Sequence, residues 1–126
     1  MPRIPVFLKR WVAMPRFVIL RHDSPRGVHY DLMLEDGDVL KTWALSQPPE
    51  SGVEILCDAL PDHRLAYLDY EGPIAGGRGS VTRWDRGTCR IIEQSDTQWI
   101  VEFHGEKLVG RVTLNQKQCP SHAIQA

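Results

Sequence analysis

Apolar and polar residues alternate along most of the chain from about residue 17 onward, in short runs separated by turn-forming residues. In the run Val28–Glu35 every even-numbered residue is apolar, whereas His29, Asp31 and Glu35 lie between them. A period of two places successive side chains on opposite faces of an extended chain, so it is the signature of a β-strand with one buried face. This alternation excludes a mainly helical fold.

Runs of this kind, rich in Val, Ile, Trp, Tyr and Thr, predict eight short strands. The predicted strands are Phe17–Leu20, Val28–Glu35, Val39–Leu45, Val53–Leu60, Gly79–Trp84, Cys89–Glu93, Gln98–Phe103 and Leu108–Leu114. Turn signals such as Glu35–Asp38, Asp85–Gly87 and His104–Glu106 separate them. Strands at such spacing are typical of an all-β sandwich or barrel with little helix, and only Pro49–Leu60 has room for a short helix.

The length and composition predict a single compact domain over residues 1–126, with a basic segment at 1–15 and a polar tail at 115–126. A chain of 126 residues with 42% hydrophobic residues can bury one core. Its apolar runs are far shorter than the ~20 residues of a membrane span, and the N-terminus lacks the apolar stretch of a secretory leader. Cys57, Cys89 and Cys119 form no Cys-x-x-Cys pair, which favours reduced thiols in the cytoplasm.

Charge is distributed unevenly along the chain. Residues 1–26 hold six basic residues and one acidic residue, a net charge of +5, so the remainder carries −6 because the whole chain carries −1. A basic region of this kind is able to meet phosphate groups. A solvated terminal segment without a specific role is an equally good interpretation.

His29 and Asp31 share one face of the predicted strand Val28–Glu35. His22 precedes His29 by seven residues, and Pro25 and Gly27 between them favour a turn that brings His22 back. Two imidazoles and a carboxylate form a ligand set that leaves positions open, as catalytic Mn²⁺, Zn²⁺ or Fe²⁺ sites require. The alternative is a group of ordinary hydrogen-bonded side chains.

Three further features have both a functional and a structural interpretation. Lys41 is a single cation in an otherwise apolar strand, and is either an anion ligand or a residue that protects an edge strand from pairing. His63 lies in a Pro-containing junction, Leu60–Tyr67, where polar residues are usually exposed. The glycine-rich segment Gly72–Ser80 lacks the ending of a phosphate-binding P-loop, and we interpret it as a mobile loop that borders a site.

Several segments, taken in order, resemble one family. They are Arg21-His22-Asp23, His29-Tyr30-Asp31-Leu32, Leu40-Lys41-Thr42-Trp43-Ala44, Asp62-His63-Arg64-Leu65, Tyr70-Glu71-Gly72, Trp84-Asp85-Arg86-Gly87-Thr88 and His104-Gly105-Glu106-Lys107-Leu108-Val109-Gly110-Arg111. This series is similar to the 3′-phosphoesterase domain of bacterial DNA ligase D, the end-healing module of a nonhomologous end-joining enzyme. The similarity covers about residues 16–114.

The resemblance implies a compact β-barrel with a site dependent on Mn²⁺, or on another divalent transition metal such as Zn²⁺. Such a site removes a terminal ribonucleoside and then the exposed 3′-phosphate. The implied metal ligands are His22, His29 and Asp31. The implied phosphate-contacting and catalytic residues are Lys41, His63 and Tyr67. The implied partners are nucleic-acid 3′ ends, of DNA or RNA-tailed DNA, and end-joining proteins, and we expect a monomer.

The chain departs from the family pattern at Met33 and at Pro61. Met33 stands where the family usually has an arginine that reaches the phosphate, and it shares a strand face with His29 and Asp31, so we expect it to border the site. Pro61 stands where an acidic residue is typical. A thioether cannot replace a guanidinium, which leaves Arg78 or Arg83 as possible substitutes. The leading hypothesis is therefore a metal-dependent phosphoesterase acting on nucleic-acid 3′ ends in DNA repair. The alternative is a non-catalytic relative that binds DNA ends or proteins.

Overall fold

Strands form nearly all of the regular structure in the computed structural model, which describes residues 14–117. The strands are β1 (Arg16–Ser24), β2 (Gly27–Asp36), β3 (Val39–Leu45), β4 (Glu54–Arg64), β5 (Gly72–Pro73), β6 (Ser80–Gln94), β7 (Gln98–Gly105) and β8 (Val109–Gln116). One short 3₁₀ helix, Leu65–Leu68, follows β4. The predicted all-β class with little helix is confirmed.

The strands join into one sheet that closes on itself. Their order is β1-β2-β3-β4-β8-β7-β6-β5, and β1 also pairs with β6. All strands except β5 therefore form a barrel-like ring, and β5 extends the sheet at β6. All neighbours are antiparallel except β4 and β8, which run parallel. Closure leaves few unpaired strand edges, which is the usual advantage of such a ring.

Alternation along β1 and β2 sends side chains to two apolar clusters on opposite faces of the sheet. The inner cluster contains Phe17, Ile19, Leu32 and Leu34 together with aromatic residues such as Trp43. The outer cluster contains Val18, Leu20, Met33, Leu40, Leu68 and Val81, and the partly buried Leu65, Tyr67, Tyr70 and Ile74 pack against it. The segment from Leu65 to Ile74 therefore covers the outer face of β1 and β2.

The short helix that Pro49–Leu60 had room for does not form. Glu54–Arg64 is instead the strand β4, which pairs with β3 on one side and with β8 on the other. Residues 54–57 pair with β8 and residues 58–64 pair with β3, so each half of the segment forms backbone hydrogen bonds with a different strand, and these tertiary contacts decide its conformation. His63, predicted to lie in a junction, is near the end of this strand.

The turn predicted at Asp85–Gly87 is wrong, because Ser80–Gln94 is one continuous strand. The Asp85 side chain is buried and accepts N–H groups from the next turn, Glu106–Leu108, at 2.7–3.1 Å. Gly87 is required by packing, because a Cβ atom there would lie 2.1 Å from the His104 carbonyl oxygen. Both residues are turn formers by type, yet here they hold two neighbouring strands together.

The start of the predicted polar tail belongs to the sheet, since β8 continues through Gln116, whose side-chain oxygen accepts the Trp43 indole N–H at 2.8 Å. Most of the predicted basic segment, the rest of the tail, Cys119 and His122 lie outside the described residues. Cys57 and Cys89 are buried free thiols, and burial raises their pKa values to about 11 and about 12. Across residues 14–117, no helix has the length and apolar character needed to cross a membrane.

Candidate metal centre

His22, His29 and Asp31 meet on the outer face of β1 and β2. In the antiparallel register His22 lies directly opposite His29, and Asp31 is two residues farther along β2 on the same face. One potential ligand atom from each residue lies within 4.8 Å of the others. The turn after Ser24 brings the strands together, as the Pro and Gly residues there indicated.

The carboxylate of Asp31 lies between the two imidazoles. Its Oδ1 atom is 3.0 Å from His29 Nε2, and its Oδ2 atom is 3.3 Å from His22 Nδ1. The two imidazole rings are 4.5 Å apart, and Asp31 is only 5% exposed. The three side chains thus point two nitrogens and two oxygens at a common, largely buried volume.

A hydrogen bond on the far side of the His22 ring fixes which nitrogen faces this volume. His22 Nε2 donates to the carbonyl oxygen of Arg78 at 2.8 Å, so in the neutral ring Nδ1 carries the lone pair directed at Asp31. His22 Nδ1 and Asp31 Oδ1 are both buried and have no hydrogen-bond partner. The unprotonated Nδ1 atom of His22 and the Asp31 Oδ2 atom, 3.3 Å apart, repel each other unless a proton or a metal cation lies between them, so the donor set fits a divalent metal ion.

The carbonyl of Arg78 reaches His22 because the glycine-rich loop packs against the end of β1. Gly79 has φ +92°, and a Cβ atom there would lie 1.9 Å from the Asp23 carbonyl oxygen. Only glycine allows this approach. The loop therefore lies beside His22, one of the three candidate ligands.

His63 and Tyr67 form an edge-to-face pair with ring centroids 5.5 Å apart, and Tyr70 packs on Tyr67 in the same way. The Nδ1 atom of His63 lies 2.9 Å from the carbonyl oxygen of Pro61. Tyr67 and Tyr70, with Arg64 and Arg78, line a cavity of about 280 Å³. Arg78 thus links this aromatic group to His22, because it contributes to both.

The structure does not bring Lys41 to the three candidate ligands. Lys41 lies opposite Leu34, a residue of the inner cluster, whereas Asp31 and Met33 face outward. Its Nζ atom is 3.3 Å from the Asp62 carboxylate, and it lines a separate cavity of about 480 Å³ with Trp43 and Gln116. The alternation of β3 could have indicated this, because Lys41 and Trp43 share a face.

Met33 has the expected direction but not the expected environment. It lies on the same strand face as His29 and Asp31, yet it is only 1% exposed and belongs to the outer apolar cluster. The segment that follows β4 covers this cluster, and its position was not evident from the sequence. Met33 is therefore a packing residue and does not border accessible space at the site.

The sequence alone did not indicate which arginine, Arg78 or Arg83, is the better substitute for the guanidinium missing at position 33. Arg83 lies opposite Leu20 on the outer face, and its Nε atom is buried without a hydrogen-bond partner. Two basic residues nearer the N-terminus, Arg16 and Arg21, form ion pairs with carboxylates, so less positive charge is available to a phosphate group than the charge count indicated. Arg16 pairs with Glu35 at 2.7 Å, and Arg21 pairs with Asp23 at 2.9 Å.

Comparisons with known proteins identify the family of the chain. Residues 20–116 match the family model described as the DNA ligase D 3′-phosphoesterase domain. The chain is 36% identical over 107 residues to the multifunctional non-homologous end joining protein LigD of Pseudomonas aeruginosa, an alignment covering 76% of this chain and 12% of that protein.

Mycobacterial relatives give a similar result. The non-homologous end joining DNA repair protein LigD of Mycobacterium tuberculosis is 36% identical over 107 residues, covering 78% of this chain and 14% of the relative. The LigD protein of Mycolicibacterium smegmatis is 34% identical over 117 residues, covering 80% and 15%. The chain thus spans only about one seventh of the length of these relatives. On the family match and these identities, the chain belongs to the DNA ligase D 3′-phosphoesterase domain family.

Proposed function

We propose that this domain is a metal-dependent phosphoesterase that acts on nucleic-acid 3′ ends, removing a 3′-ribonucleoside or a 3′-phosphate during DNA repair by end joining. The observation that carries the proposal is the buried Nδ1 atom of His22, which has no hydrogen-bond partner and lies 3.3 Å from Oδ2 of the buried Asp31 carboxylate. Membership of the 3′-phosphoesterase family supports the choice of substrate.

His22, His29 and Asp31 would hold the metal, with Mn²⁺ as the proposed ion and Zn²⁺ as a second possibility. When bound, a divalent ion would hold and polarise a phosphate oxygen. The Arg78 carbonyl oxygen accepts a hydrogen bond from the Nε2–H group of His22. This bond leaves the Nδ1 atom, on the other side of the ring, free to bind the metal. His29 is more exposed than His22, which leaves its side of the centre open to substrate.

We assign His63 the transfer of a proton to the leaving alkoxide and Tyr67 a hydrogen bond to a phosphate oxygen. The carbonyl of Pro61 orients His63 by accepting its Nδ1–H, so Nε2 is the nitrogen that acts on substrate. The ring donates from Nε2 when both nitrogens carry a proton, and a water molecule supplies the oxygen that replaces the leaving alkoxide on phosphorus. A main-chain carbonyl thereby supplies the orientation that a neighbouring carboxylate would give. Lys41 is left out of the proposed mechanism because it pairs with Asp62 on the other face.

The proposed partners are the 3′ ends of DNA or RNA-tailed DNA, together with end-joining proteins that supply the joining step. We also propose that the chain works as a monomer in the cytoplasm, where DNA ends and reduced thiols coexist. These proposals rest on the family assignment and on the free state of Cys57 and Cys89.

Phosphate release from a 3′-phosphorylated oligonucleotide tests the proposal. We expect release by the wild-type chain with Mn²⁺, none with a chelator, and a rate at least about 100-fold lower for His63→Ala. His104→Ala is the matched control, because His104 is exposed on β7 and contacts Glu102. A wild-type chain that releases no phosphate with any divalent metal, or a fully active His63→Ala variant, would overturn the enzymatic assignment.

A non-catalytic end-binding module is the second candidate, and the burial of Met33 is the observation that favours it. The family usually places a phosphate-contacting arginine at this position, but here the side chain is part of an apolar cluster. A binding module retains affinity for 3′ ends without turnover. Binding of a 3′-phosphorylated oligonucleotide in the absence of phosphate release would therefore select this candidate.

A further inference from the structure

Arg83 belongs to a row of three side chains that crosses the outer face. Arg83 on β6 lies opposite Leu20 on β1, and Leu20 lies opposite Asp31 on β2. Directly paired residues point to the same face, and neighbouring strands are about 4.8 Å apart. The backbones of Arg83 and Asp31 are therefore roughly 10 Å apart, with both side chains on the side of the candidate metal centre.

The guanidinium of Arg83 has no ion-pair partner within residues 14–117. Its Nε atom is buried without a hydrogen-bond partner, and none of its nitrogens forms an ion pair there. The carboxylate of Glu71 is close by, but it accepts the backbone N–H of Arg83 at 2.6 Å. By contrast, the Arg78 side chain is held by its own loop, since Nε donates to the Ala75 carbonyl at 2.8 Å.

An unpaired guanidinium in a partly buried position is costly, and an anion that accepts two parallel N–H bonds offsets that cost best. Phosphate oxygens match this fork. We propose that Arg83 binds a phosphate group of the nucleic-acid strand whose 3′ end lies at His22, His29 and Asp31. This assignment rests on the proposed function, and it names the residue that positions the strand beside that centre.

Two sources of phosphate fit this chemistry, the 3′-terminal monoester and an internal phosphodiester of the same strand. The position of Arg83 beyond Leu20, and not next to Asp31, is compatible with either. Oligonucleotides that differ only in the terminal group separate them, because a terminal contact is lost with a 3′-hydroxyl end and an internal contact is not.

The test uses the full chain with Mn²⁺ and fluorescently labelled single-stranded DNA ending in a 3′-phosphate or a 3′-hydroxyl. Arg83→Met is expected to raise Kd about tenfold, the loss associated with one charged hydrogen bond, and Arg83→Lys by less. Arg90→Met is the matched control, since Arg90 lies on the same strand and pairs with Glu102. Its Kd should change less than twofold.

A loss confined to 3′-phosphate DNA identifies the terminal group, whereas an equal loss with both ends identifies an internal phosphate. A melting temperature for Arg83→Met no lower than that of the wild type separates this role from a structural one, because the removed guanidinium forms no ion pair with the described residues and Met retains the apolar stem. An Arg83→Met affinity within twofold of the wild type for both oligonucleotides would overturn the assignment.

Inorganic phosphate alone separates this proposal from the proposed function. We expect the Nε–H resonance of Arg83 to shift on phosphate titration, while that of Arg90 stays in place. If the wild-type chain releases 3′-phosphate but Arg83→Met binds DNA normally, only the Arg83 assignment fails. If the wild type neither binds nor processes 3′ ends, the proposed function fails, and an unshifted Arg83 resonance then rejects the anion site as well.

Discussion

The Nε2 atom of His22 donates a hydrogen bond of 2.8 Å to the carbonyl oxygen of Arg78, which joins the candidate metal centre to the glycine-rich loop. The bond determines which nitrogen of His22 faces Asp31. A residue 56 positions away in sequence therefore prepares a ligand of the centre. Changes in the loop should alter metal affinity even though the loop offers no ligand of its own to the centre.

Gly79→Ala is expected to weaken Mn²⁺ binding about tenfold by moving the Arg78 carbonyl away from His22. A Cβ atom at position 79 would lie 1.9 Å from the Asp23 carbonyl oxygen, so the loop must shift. Gly77→Ala is the control, because Gly77 also has positive φ (+68°) but a Cβ atom there meets nothing within 4 Å. Titration calorimetry of both variants checks this, and equal affinities would contradict it.

Met33→Arg is expected to lower the free energy of unfolding by about 3 kcal/mol, because it buries a guanidinium without a partner in an apolar cluster. The wild-type side chain is 1% exposed. Met33→Leu conserves volume and should cost less than about 1.5 kcal/mol. Urea unfolding measures both. If Met33→Arg is as stable as the wild type and binds 3′-phosphorylated DNA more tightly, the cluster is open to solvent and Met33 borders the site after all.

Asp85→Ala should destabilise the fold by about 3 kcal/mol, because buried N–H groups of the turn between β7 and β8 lose their acceptor. Asp85 accepts from the backbone of Glu106, Lys107 and Leu108. Asp96→Ala, at an exposed position between β6 and β7, serves as the control and should be nearly neutral. Thermal unfolding of the two variants decides the matter, and similar melting temperatures would contradict the structural role of Asp85.

The Arg16–Glu35 pair should contribute stability that depends on pH. Hydrogen bonds from Arg16 lower the pKa of Glu35 below its usual value. A lowered folded-state pKa means that the contribution is present above the unfolded value, about 4.3, and is lost as the pH falls through the folded value. Glu35→Gln should therefore have a lower urea midpoint than the wild type at pH 7 but not at pH 3. An unchanged difference at both pH values would contradict this linkage.

Period-two alternation was sufficient to predict the fold class and most strands. It gave β3 with its observed bounds and placed His29 and Asp31 on one face, because both consequences depend only on local geometry. The turn at Ser24–Gly27 likewise depends on local residue types. The family resemblance added His63 and Tyr67, which the structure pairs at 5.5 Å.

Long-range packing explains what the sequence did not reveal. Asp85 and Gly87 have turn-forming residue types, but a distant turn and a close strand crossing determine their conformation. Met33 was predicted to border the site because alternation gives a direction without showing what covers the face. The bond between His22 and Arg78, and the unpaired guanidinium of Arg83, depend on the closure of β1 against β6. No local pattern encodes that closure.

The central claim is that His22, His29 and Asp31 together bind one divalent metal ion, and Mn²⁺ titration calorimetry tests it most directly. The wild-type chain should bind one Mn²⁺ per molecule, and His29→Ala and Asp31→Asn should each lose measurable binding while remaining folded. His104→Ala, at an exposed position on β7, should bind as the wild type does. Equal Mn²⁺ binding by the wild type and His29→Ala, or no binding of Mn²⁺ or Zn²⁺ by the folded wild type, would contradict the claim.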